Sequence, residues 1–153
     1  MPFYGHGLAY LGEFEQGEMT SQKALELAEH YENLYTLATV EFLFGCQFIP
    51  KGDGENARQH LLRGSEIQEK LGWYIILPVV WSLLAMAYDL LGEMQTAQQY
   101  AERVLKLREK IKMPGFVSMG YMALCSVYLG QGRQEEAKIE AERAMALAQK
   151  NHE

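Results

Sequence analysis

Cysteine, proline, basic charge and long apolar runs are all scarce in this chain, and each shortage removes a class of explanation. Two cysteines in 153 residues cannot build the dense bridge framework of a small secreted domain. Cys46 and Cys125 also stand at different places of the repeat described below, so both are expected as reduced thiols in a cytoplasmic protein. Four prolines and 48% apolar residues argue against disorder. No stretch approaches the roughly 18 apolar residues of a membrane span. The longest candidate, Tyr74 to Ala87, is interrupted by Pro78 and Ser82 and reads as a buried central helix. The N-terminus carries no basic stretch followed by an apolar one, so no signal peptide is expected.

With 14 basic against 20 acidic side chains, the net charge is −6. A nucleic-acid binder needs a basic stripe to displace counterions from phosphates, and none is present. Arg103, Lys106, Arg108, Lys110 and Lys112 form the one basic cluster. It is interleaved with Glu102 and Glu109 near a helix C-terminus, as expected of a solvated face that complements the helix dipole. Reactive constellations are missing too. His6, His30, His60 and His152 are scattered, with no pair at the i, i+4 spacing of metal-binding helices. Neither cysteine belongs to a Cys-x-x-Cys pair. Gly52-Asp53-Gly54 and Gly130-Gln131-Gly132 lack the lysine and preceding strand of a phosphate loop. Glu135, Glu136, Glu140 and Glu142, beside Lys138 and Arg143, read as solvated ion pairs on an outer helix. No enzyme, cofactor or metal is expected.

What the chain does contain is a repeat of 40 residues. Phe48, Tyr88 and Tyr128 share one place, Gly52, Gly92 and Gly132 a second, and Ala57, Ala97 and Ala137 a third. Trp81, Leu84, Ala85 and Tyr88 recur as Tyr121, Leu124, Cys125 and Tyr128, and as Glu41, Phe44, Gly45 and Phe48. The spacing i, i+3, i+4, i+7 marks one face of a helix. The glycine that follows suits the left-handed residue ending a helix. A second helix then carries Ala97, Ala101 and Val104, matched by Ala137, Ala141 and Ala144. Each unit is a helical hairpin, and a fixed period of this size marks a stacked array.

A degenerate first copy is expected to open with Tyr4, Gly7, Leu8, Ala9, Tyr10 and Leu11. It should turn through Gly12 and Gly17 with about four extra residues, and to cap its second helix at Thr20 or Ser21. Ala24, Leu27, Ala28 and Tyr31 continue that helix. Eight helices follow, at about 2–15, 19–31, 33–49, 54–71, 74–91, 94–112, 115–130 and 133–150. They group into one domain over 1–153 with repeats of about 1–32, 33–72, 73–112 and 113–153.

At Trp81, Leu84, Ala85, Tyr88, Gly92 and Ala97 the chain resembles the tetratricopeptide repeat family. Two departures stand out: the period is longer than the family's 34, and Glu69, Glu109 and Gln149 occupy the place of the usual proline. Long repeats of this kind are similar to the arrays of large bacterial signalling proteins, where they serve as sensor or partner-binding arms. The resemblance implies an all-α, right-handed superhelix of four hairpins, with eight antiparallel helices and the first helix of each pair lining a concave face. The implied function is non-catalytic protein binding, as an adaptor or sensor arm of a cytoplasmic signalling or regulatory system. The alternatives are a small-molecule effector site or a self-assembly module.

By the same resemblance the lining comprises Phe42, Leu43 and Cys46, then Val79, Ser82, Met86 and Asp89, then Met119, Met122 and Ser126. Thr39, Ile49, Leu83, Leu90, Ala123 and Leu129 extend it. It is apolar and rich in methionine, which adapts to varied partners; the equal reading is that these residues are core. The terminal helices lack evident polar caps, so Ile139 and Met145 are expected either to meet further repeats or to self-associate as a homodimer. A protein or peptide partner is expected, with no nucleic acid and no membrane.

Overall fold

The computed structural model describes residues 2–106 and 114–150, without the side chains of 114–116 and Lys150. Among the described residues every regular element is an α-helix: α1 (Pro2–Tyr10), α2 (Phe14–His30), α3 (Leu34–Lys51), α4 (Gly54–Lys70), α5 (Leu77–Leu90), α6 (Met94–Lys106), α7 (Pro114–Gly130) and α8 (Gln134–Lys150). The chain divides into two compact units, Met1–Leu77 and Pro78–Glu153.

One turn is used throughout. Gly12, Glu32, Gly52, Gly72, Gly92 and Gly132 all have positive φ, so among the described residues the backbone device recurs every 20 residues from 12 to 92, at half the side-chain period, and again at 132. At Gly52, φ is 75°, a conformation that is cheap only without a Cβ. The next N–H, of Asp53, donates to the Phe48 carbonyl at 3.0 Å, closing the last turn of α3 as a Schellman motif. Trp73, Glu93 and Arg133 repeat that bond to Gln68, Tyr88 and Tyr128. Glu32 holds the same conformation with φ 52°, at a cost of about 1 kcal/mol for a residue with a Cβ. Its successor Asn33 compensates, because its side chain accepts from the Thr36 N–H at 2.9 Å and caps α3. Asp53 caps α4 likewise, accepting from the Asn56 N–H at 3.1 Å. The Asn56 side chain holds the Asp53 carboxyl below the usual carboxylate range.

The first copy departs from expectation. Its turn is Leu11-Gly12-Glu13, as short as the others, and α2 already begins at Phe14. Gly17 is buried inside α2, at the place of Ala57, Ala97 and Ala137. A Cβ on Gly17 would lie 2.8 Å from the Gly5 carbonyl oxygen, so glycine serves there for helix contact and not for turning. Thr20 and Ser21 cap nothing: the Thr20 hydroxyl donates back to Gln16 at 2.7 Å, and Ser21 is buried.

The fifth helix starts at Leu77, later than expected, because Pro78 fits the first turn of a helix and pushes what precedes it towards extended backbone. Tyr74 and Ile75 are exposed ahead of it. The expected helix over 94–112 is described only to Lys106, and Arg108, Lys110 and Lys112 lie outside the described residues.

Small residues set the packing in each unit. In the first, α3 packs against both α1 and α2, and α4 packs on α3. A Cβ on Gly45 would come within 2.7 Å of the Leu61 side chain, so those two helices cross at near contact. In the second, Ala85 of α5, Ala101 of α6 and Ala123 and Leu124 of α7 share one buried cluster with Tyr100, Leu105 and Tyr128 around it. Gly120 is likewise pressed on Val104, 2.9 Å from where its Cβ would be.

Candidate functional site

Three places of the repeat, each recurring at intervals of 40 residues, carry a contact between the two helices of a hairpin. In the second copy they hold Glu41, His60 and Arg63. The Glu41 carboxylate is fully buried and lies 2.7 Å from His60 Nδ1 and 2.6 Å from the Arg63 guanidinium. Arg63 also reaches Glu29 of α2 at 2.7 Å. These bonds to Glu29 and the nearby Glu41 charge raise its already high pKa. The His60 ring stacks on Phe44, with centroids 4.3 Å apart, so one polar group and one aromatic wall fix it.

In the third copy the acid is replaced by an aromatic ring, and Arg103 lies 3.8 Å over Trp81, a cation–π contact. In the fourth, Arg143 pairs with Glu140 at 2.7 Å and stands 5.9 Å from the Tyr121 ring. Glu140 is therefore not the solvated side chain expected: it is 7% exposed, because its place faces the hairpin partner as His60 and Tyr100 do.

A second polar contact crosses the first unit. With the Gln47 amide nitrogen facing the Gly17 carbonyl at 3.3 Å, its oxygen accepts from the backbone N–H of His6 at 3.3 Å and from the Ser21 hydroxyl. Burial lowers the pKa of His6. These contacts join packed helices within each unit.

The expected lining residues separate by burial. Leu43, Cys46 and Ser82 are buried. The Ser82 hydroxyl donates to the Pro78 carbonyl at 2.9 Å, and burial pushes the Cys46 thiol up to about 12. Phe42, Val79, Met86, Asp89 and Met119 are half-buried. Asp89 accepts from the Ser126 hydroxyl at 2.7 Å, joining α5 to α7.

Met122 and Ser126 come together with Met145 in an apolar trough of about 460 Å³ between α7 and α8. Met122 and Met145 are 62% and 61% exposed. The floor is made of small residues, Cys125, Ala141, Ala144 and Ala148, and no charged side chain lines it. Ile139, expected beside Met145, is exposed but does not line the trough. A smaller hollow of about 360 Å³ lies in the first unit, where Ala24, Leu27 and Ala28 of α2 face Thr36 and Val40 of α3.

Among the described residues no group of three His, Cys, Asp or Glu side chains could hold a metal ion. No described helix is long and apolar enough to cross a membrane.

The fold and its sites define a helical-hairpin repeat protein. Residues 79–111 match the family model for the tetratricopeptide repeat, a stretch that starts within α5, takes in α6 and ends past Lys106. No curated protein matches the chain. Proteins built from such repeats are generally non-catalytic and bind other proteins.

Proposed function

We propose that this chain is a non-catalytic protein-interaction module, an adaptor or sensor arm of a cytoplasmic signalling or regulatory system. On this reading it receives an amphipathic helix of a protein partner in the trough between α7 and α8. The observation that carries the proposal is the trough itself: an uncharged, methionine-walled channel with a floor of small residues, the form of a helix-binding groove. Half-buried Phe42 in the first unit, and Val79, Met86 and Met119 in the second, offer further contacts within their own units. The buried Cys46 and the free thiol of Cys125 suit a reducing compartment.

The test is a labelled helical peptide spanning residues 114–130, the helix that α5 and α6 already hold in the equivalent seat. It is titrated into the protein and followed by fluorescence anisotropy. Saturable binding, weakened at least about tenfold by Met122→Glu through burial of an unpaired charge, is expected. Equal binding to the wild type and the variant would remove the trough from the function, and no binding would remove the helix-receiving reading.

A further inference from the structure

From the continuity of the repeat we infer that the α7–α8 trough is filled by α1 of a second copy of this chain, in a head-to-tail contact. This rests on the trough's being a helix seat, and it names the occupant.

The seat is already in use within each unit. A helix that opens a hairpin sits on both helices of the hairpin before it: α3 on α1 and α2, and α7 on α5 and α6. The floor of the seat holds Ser21, which meets Gln47, and Ala24, which faces Thr36 and Val40, in the first case, with Gly5 pressed on Ser21 beneath them; in the second it holds Ala85, Ala101 and Val104. All but Val104 are small. The same places in the last hairpin hold Cys125, Ala141 and Ala144, which line the exposed trough.

The seated face is equally regular. In α3 it includes Leu43, buried, and Gln47, which meets Ser21 of α2. In α7 it includes Ala123, packed on Ala85 and Ala101, and the fully buried Val127. The corresponding residues of α1 are Phe3 and Gly7, and Tyr10 continues their face one turn on. Phe3 is 71% exposed and Tyr10 65%, and a Cβ on Gly7 would have nothing within 4 Å. Among the described residues that face is uncharged and largely exposed, with a flat glycine at its centre that permits close approach.

Size and charge also match. Phe3 is larger than the Ala123 it corresponds to, and relative to the α5–α6 seat the trough gains room at Ala144, where Val104 stands, against a smaller loss at Cys125, where Ala85 stands. Neither surface brings a charge, so closing the contact strands none. With −6 per copy, association should strengthen as salt screens the mutual repulsion. The contact is heterologous: each copy offers one head and one trough, and different patches meet.

The experiment is sedimentation velocity on the full chain from micromolar to several hundred micromolar, for the wild type, Phe3→Glu and Met145→Glu. Both substitutions lie on exposed side chains and should leave the circular dichroism unchanged. The wild type is expected to associate with concentration, and each variant alone to associate at least about tenfold more weakly. A one-to-one mixture should form dimers and stop there, because the pair retains one intact head and one intact trough. A wild type that stays monomeric would overturn the inference, as would association that survives either substitution or a mixture that fails to pair. Peptide 114–130 titrated into Phe3→Glu, whose trough is untouched, separates the two levels. Binding there with a monomeric wild type would leave the trough a helix seat for another partner, and no binding would sink both.

Discussion

Removing either partner of the Glu41–Arg63 pair should have unequal consequences, because the two ends sit in different surroundings. The Glu41 side chain is 0% exposed and the Arg63 side chain 46%. Arg63→Ala strips the buried carboxylate of its cation and leaves it only His60, at 2.7 Å. Leaving a buried charge uncompensated costs about 3–5 kcal/mol, and loss of the exposed Arg63–Glu29 pair adds at most about 1 kcal/mol. Glu41→Gln keeps the shape, removes the buried charge and leaves Arg63 in solvent with Glu29; its cost should be about 1 kcal/mol, the worth of one weakened hydrogen bond. The double variant should therefore be more stable than Arg63→Ala alone, since nothing charged stays buried. At roughly 2–4 °C per kcal/mol for a chain of this size, Arg63→Ala should lower Tm by about 6–24 °C, and Glu41→Gln by less than about 4 °C. Thermal and urea unfolding followed by circular dichroism, across the four proteins of the cycle, gives the comparison. Buried charge would not be the governing term if Glu41→Gln were as damaging as Arg63→Ala, or if the second substitution brought no recovery.

Gly45→Ala should cost about 1–3 kcal/mol through overpacking, since its Cβ would meet Leu61 at 2.7 Å and the Leu61 backbone nitrogen at 3.1 Å. A urea midpoint unchanged from wild type would show that α3 and α4 can separate freely. Cys125 should react with a thiol reagent well before Cys46, whose buried thiol is pushed up to about 12. Mass spectrometry of peptides after timed alkylation reads the order, and equal rates in the folded protein would contradict the burial of Cys46.

The hairpins were legible because their signals are local: Gly52, Gly92 and Gly132 at a fixed interval, and apolar faces at helical spacing between them. The break at Glu32 was legible between helices expected at about 19–31 and 33–49, but its left-handed conformation was not, because no glycine marks it; that conformation is followed by the Asn33 cap, which a composition pattern does not reveal. Gly17 was taken for a turn residue because glycine in isolation signals a turn more readily than a helix crossing. Its alignment with Ala57, Ala97 and Ala137 was the signal that places it inside α2. The Glu41, His60 and Arg63 contact was missed for a similar reason. Arg63, Arg103 and Arg143 recur every 40 residues, yet their counterparts change from acid to ring, so residue type alone conceals the shared place. Burial separated the lining residues where sequence could not. Leu43 and Met122 look alike as apolar positions on opening helices, and only the packing of neighbouring helices covers one and exposes the other.

The recurring turn also bears on how the chain finds its structure. Within each unit, every helix packs on helices one or two steps along the chain, so contacts join segments of short sequence separation and no distant ends must be brought together first. Such a topology has low contact order and belongs with chains that fold in about milliseconds or faster. Each new helix can dock on a surface already formed, and growth proceeds by addition.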